Sequence, residues 1–350
     1  MSKSHWIGGL RGAAPTVAVA TLLLLTTACG GGNDATAADA DGATDEQLRD
    51  AGTLTQISPL TGERTENGLP QRPVLAVKID NTASSSPQLG LDSADLVAEE
   101  LVEGGLTRLA AFFYSEVPGE VGPVRSMRAS DIGILKPAEA TLVASGGAPP
   151  TVRRLAGADV ATITEDTRGA IGYTRDDSRV SPYNLMMRLD DLAETLEGAA
   201  TGGVPAPYLP FGPADDFGSG QPAASIAATF SPGQTTRWSY QKGVGYVRPD
   251  GFAEQGHDFE ADNVLVLRVE VVSAGYRDPA GNPVPETVFE GSGNAMLFHA
   301  GQLVTGTWHK DALGSGVRLE SRNGEPLTVP AGRTWIELVP VKGGMVTYQK

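Results

Sequence analysis

Two arginines three residues apart, Arg125 and Arg128, follow a Gly-Pro turn in Val121-Gly122-Pro123-Val124-Arg125-Ser126-Met127-Arg128-Ala129-Ser130-Asp131. If the backbone there is helical, their guanidinium groups converge on one anion through charge-assisted hydrogen bonds. Asp131 is placed to orient Arg128, and Arg108 and Lys78 are the supporting cations. Lys78 stands in Lys78-Ile79-Asp80-Asn81, at the end of an expected strand. Alternation puts Lys78 and Asp80 on one face, and the carboxyl end of a strand is a common place for a ligand site. The competing reading is an internal Arg–Asp ion-pair network that fixes the loop, with Asp80-Asn81 as a capped turn.

A second group of chemically capable residues is Glu99-Glu100-Leu101-Val102-Glu103-Gly104-Gly105-Leu106-Thr107-Arg108. Its carboxylates could serve acid–base work, with Glu99 and Glu103 sharing a face and Glu100 opposite. As structure, the same run reads as a solvated hairpin edge with an arginine across the strand. Ser145-Gly146-Gly147-Ala148-Pro149-Pro150 reads as a tight strand-to-helix turn. It fits neither a P-loop nor a dinucleotide fingerprint. No nucleophile elbow or zinc-protease motif is present, and the four histidines are scattered. A non-enzymatic role is therefore favoured, with no cofactor and no metal expected.

These residues need elements to hold them. Strands are expected at 73–79, 95–102, 106–114, 141–144 and 160–164, the second and third as a hairpin. Helices are expected at 130–135, 150–155 and 190–196. The mixture predicts an α/β domain, a mixed sheet with helices, over residues 58–215. The Gly- and Pro-rich stretch 198–222 marks a connection. Short strands with turn signals follow, so residues 216–350 are expected to form a β-rich domain. Its aromatic residues, among them Trp238, Tyr246, Trp308 and Trp335, are expected mostly in the core.

The 350 residues carry a formal charge of −15, which argues against nucleic acid as a partner because phosphate affinity comes from Lys and Arg. Glycine (44) and proline (24) are together well above ordinary usage, which favours turns and short elements over long helices. Residues 1–28 read as a signal peptide: Lys3 and Arg11, the apolar run 17–25, then small residues before Cys29, the single cysteine. That arrangement resembles a lipobox, with Thr26 where leucine is usual. Lipidation at Cys29 is expected, followed by an acidic tether over 29–57 without aromatic residues. This places the chain on the extracytoplasmic face of a bacterial cell membrane.

The runs Lys78-Ile79-Asp80-Asn81, Ala94-Asp95-Leu96-Val97, Val102-Glu103-Gly104-Gly105-Leu106-Thr107-Arg108 and Gly122-Pro123-Val124-Arg125-Ser126-Met127-Arg128 resemble the YerB lipoprotein family of bacteria. Gly306-Thr307-Trp308-His309-Lys310 and Pro330-Ala331-Gly332-Arg333-Thr334-Trp335-Ile336 resemble its C-terminal domain. One segment departs from the family: Ser181-Pro182-Tyr183-Asn184-Leu185 has Tyr183 where histidine is usual. The resemblance implies a cell-surface lipoprotein with two domains and supplies no reaction. Three functions are compatible with the residues. The first is a binding protein for an anionic envelope ligand, such as a cell-wall polymer, at Arg125, Arg128, Asp131, Lys78, Asp80 and Arg108. The second is an envelope hydrolase or transferase with Asp80, Glu99 or Glu103 as base. The third is a scaffold for another envelope protein.

Overall fold

Nearly continuous apolar runs, such as 74–77 and 109–113, mark strands that are buried on both faces. A computed structural model describes residues 56–350 apart from 67, 168, 170 and 200–202. The expected leader, Cys29 and nearly all of the expected tether lie outside the described residues. In the first half the strands are β1 (Leu75–Asp80), β2 (Leu96–Leu101), β3 (Thr107–Phe113), β4 (Thr141–Ala144) and β5 (Thr162–Thr164). The second half supplies β6 (Ser225–Ser231), β7 (Gln234–Gln241), β8 (Gly245–Val247) and β9 (Asn263–Arg277). It continues with β10 (Gly291–His299), β11 (Gln302–Lys310), β12 (Thr334–Pro340) and β13 (Met345–Gln349).

One large mixed sheet runs in the order β11, β10, β9, β12, β2, β3, β1, β4, β5. Three shorter strands, Gln221–Pro222, Pro283–Val288 and Arg318–Ser321, complete its twelve. β1, β2, β4, β5 and β12 point the same way, and β3 runs against its neighbours β1 and β2. β9 is parallel to β12, and β11 shares its direction through antiparallel β10, so the carboxyl ends of seven strands share one edge. The expected boundary near residue 215 does not divide this sheet, because β12 pairs with β2 and sets Glu337 opposite Glu99.

The helices are short: α1 (Asp131–Leu135), α2 (Pro149–Gly157) and α3 (Leu189–Leu196). α2 opens on Pro149-Pro150, whose fixed φ suits a first turn, and α3 carries Asp190 and Asp191 where the helix dipole favours acids. α1 and α2 lie on one face of the sheet, where Ala76, Ala98, Phe112 and Leu142 pack with Ile134, Leu155, Phe289 and Trp308. On the other face Val77, Val97, Leu109 and Val143 meet α3 and a four-stranded sheet, β8-β7-β6-β13. Burying each large side chain stabilises by about 1.5–3 kcal/mol. The whole is β-rich, and the expected core aromatics Trp238, Tyr246, Trp308 and Trp335 are all buried.

Candidate functional site

The end of β1, the β2–β3 turn and the segment 123–128 meet at the carboxyl edge of the sheet. Segment 123–128 is not helical. It runs extended beside β1, with Asp80 N–H donating to Pro123 O (3.1 Å) and Arg125 N–H to Lys78 O (2.8 Å). On its other side it is tied to the turn after β4, by Ser145 N–H to Arg125 O (3.0 Å) and Met127 N–H to Gly146 O (2.9 Å). A side chain at Gly147 would strike Met127 Cγ at 2.6 Å, so this close approach requires glycine.

Extended backbone still brings the arginines together. Arg125 Nε lies 2.9 Å from Asp80 Oδ2, its Nη1 donates to Pro182 O (2.9 Å), and its guanidinium sits 5.2 Å from the Tyr183 ring centroid. Arg128 grips Glu103 with two nitrogens, Nε donating to Oε2 at 2.8 Å and Nη2 donating to Oε1. Arg108 completes the group, with Nη2 donating to Glu103 Oε1 (3.3 Å) and Nη1 to Ser126 O (3.1 Å). Burial, then the like charge of Arg128, push the Arg108 guanidinium down to about 10. Burial works against the charge on Glu103, but hydrogen bonds and attraction from Arg128, with Arg108, hold its carboxyl below the usual range.

Lys78 and Asp131 have no exposed surface and stand behind this layer. Lys78 Nζ lies 2.8 Å from Glu100 Oε1 and 2.9 Å from Asp131 Oδ1. Burial opposes the ammonium, yet Asp131 and Glu100 together raise its pKa. Asp131 was expected to orient the Arg128 guanidinium. It instead accepts the Arg128 backbone N–H at Oδ2 (2.6 Å). The network is polarised: one lysine meets two carboxylates inside, and three guanidinium groups meet two carboxylates outside. Of the three, Arg128 and Arg108 are closed onto Glu103, and Arg125 is the most open, with its side chain 17% exposed.

The carboxylates 99–103 do not form a solvated edge. Glu99 and Glu100 have no exposed surface, and they lie on opposite faces of the sheet. Glu103 sits on the Glu100 side, because the turn at Glu103–Gly105 breaks strand alternation. Sequence reasoning missed the partner of Glu99, which is Glu337 in β12. Glu99 Oε1 accepts from Asn81 (3.0 Å) and Thr236 (2.8 Å), and Glu337 Oε1 accepts from Trp238 Nε1 (2.7 Å). Burial, then repulsion by Glu99, raise the Glu337 carboxyl well above its usual value. Tyr183 was also missed as a neighbour of Arg125, although its departure from the family pattern had marked the position. No group of metal-ligating side chains comes together among the described residues.

A strand-rich fold, built by two segments that share one sheet and set this network at its edge, defines the class. Residues 60–202 match the family model described as "Protein of unknown function (DUF3048) N-terminal domain", and residues 226–336 match the corresponding C-terminal domain. The chain belongs to this two-domain, YerB-like family. It is 26% identical over 290 residues to a Bacillus subtilis strain 168 protein named "Putative lipoprotein YerB", covering 81% of this chain and 86% of that one. The crystal structure of YerB protein from Bacillus subtilis superimposes with a TM-score of 0.67 at 23% identity, over 83% of this chain and 99% of the other. That likeness speaks for the fold.

Proposed function

We propose that the protein is a lipid-anchored binding protein on the extracytoplasmic face of a bacterial membrane, taking an anionic envelope ligand at Arg125. Anchoring through Cys29 is supported by the leader pattern and by the relative's description as a lipoprotein. Residues 58–215 act in this reading as an α/β unit, since β4, α2 and β5 form a parallel crossover, and residues 216–350 as a β-rich one.

The observation that carries the proposal is the outward polarity of the buried network. Three guanidinium groups crowd against two carboxylates at the surface, and an added anion relieves that crowding. The same geometry favours binding over acid–base catalysis, because Glu103 is held in its charged form by two arginines and makes a weak base. Arg125 is the residue to test. Arg125→Ala should weaken binding of a polyanion such as poly(glycerol phosphate) about tenfold, with salt weakening the parent protein in the same way. Its unfolding free energy should stay within about 1 kcal/mol of the parent's, because the Thr82 hydroxyl still donates to Asp80. Unchanged binding in Arg125→Ala would remove the basis of this reading.

A further inference from the structure

On the face of the sheet opposite the arginine cluster, a cavity of about 310 Å³ opens between the end of β1, β7 and the loop after β8. Its walls include Asn81, Thr236, Arg237, Arg248, Asp250 and Gly251. Arg248 is the unusual member. It is 5% exposed, yet among the described residues it forms no ion pair within 4.0 Å. The carboxylates of Glu99, Asp258, Glu337 and Asp250 act on it only from farther away. Its hydrogen bonds are long and go to neutral amides: Nη1 to Asn81 Oδ1 at 3.4 Å and Nη2 to Gln88 Oε1 at 3.3 Å. Nε has no partner, and a Cβ added at Gly251 would stand 3.4 Å from it.

A buried guanidinium without a counter-ion is costly. Here the guanidinium carbon lies over the Trp335 ring, 4.4 Å from its centroid, and the ring face partly offsets the charge. Nη1 and Nη2 each keep a second N–H beyond these long bonds, and that pair suits the two oxygens of a carboxylate in fork geometry. At the mouth, Arg237 adds a second positive charge, paired with Asp250 at 3.0 Å and half exposed. The remaining wall is rich in amide, hydroxyl and backbone groups, which suits hydroxyls more than hydrocarbon. The volume is at the small end for ligand pockets, about the size of one sugar ring.

We propose that this cavity binds a small hydroxylated carboxylic acid, with its carboxylate on Arg248 and its hydroxyls along the polar wall. The site is separate from Arg125 and does not depend on the reading given above for that residue. Titration calorimetry on the full-length chain in detergent, with sodium D-glucuronate, D-glucose and sodium phosphate as probes, tests it. Glucuronate should bind at least about tenfold more tightly than glucose and than phosphate. Arg248→Gln should weaken glucuronate binding about tenfold or more. Because Arg248 is buried, the exposed Arg237→Glu serves as the second variant: it should keep the parent's circular dichroism and also lose binding. Arg125→Ala should bind glucuronate as the parent does. The proposal fails if glucose or phosphate matches glucuronate in the Arg125→Ala background, where the other anion site is removed, if Arg237→Glu binds normally, or if Arg125→Ala loses glucuronate.

Discussion

Lys78 keeps its charge in the middle of a sheet because two carboxylates surround it, and that arrangement makes it expensive to remove. Lys78→Met should cost about 3–5 kcal/mol in urea unfolding, since Glu100 and Asp131 are left buried without a cation. Adding Glu100→Gln and Asp131→Asn should recover most of the loss; a triple variant as weak as the single one would contradict this account. Glu337 behaves in the opposite sense. Its carboxyl binds a proton more tightly folded than unfolded, so its contribution is complete below about pH 4.5 and fades as pH rises through the folded value. Glu337→Gln mimics the protonated form and should flatten the decline of stability on the alkaline side. Asp95 and Glu100, also raised by burial, supply the slope that remains. A melting profile parallel to the parent's from pH 5 to 9 would mean that the proton is not held at this pair.

At the scale of elements, the extended segment 123–128 splits the two arginines that spacing alone had grouped. Arg125 faces outward over Asp80, and Arg128 locks onto Glu103 in the β2–β3 turn. Arg128→Ala should therefore act mainly on stability, by about 1–3 kcal/mol, because Glu103 loses its two-nitrogen partner. Equal stability of Arg125→Ala and Arg128→Ala would undo that division. The two sheets meet through Trp335 and Trp238, edge to face at 5.1 Å. Trp335→Ala should cost about 3–5 kcal/mol and strip Arg248 of its ring. The expected strands and helices lie close to those observed because their signals are local: Pro149-Pro150 starts α2, and Gly104-Gly105 turns β2 into β3.

For the whole molecule, the decisive contact is β12 inserted between β9 and β2. It joins a strand near the chain's end to one some 240 positions earlier in sequence. Residues 56–222 alone would present β2 with an unpaired edge and Glu99 without Glu337. Such a fragment should aggregate or remain protease-sensitive, whereas residues 56–350 should resist digestion as a unit. A fragment 56–222 that is monomeric and cooperatively folded would show that the two segments are independent.

The amino-acid order alone determined the positions of most strands and the residues of the arginine cluster, since each depends on neighbours a few positions away. Which charges are neutralised was decided only when distant strands came into register. No spacing rule links Glu99 to Glu337 or Arg248 to Trp335, because pairing across a sheet follows from the burial of whole faces, and that burial is a property of the assembled chain.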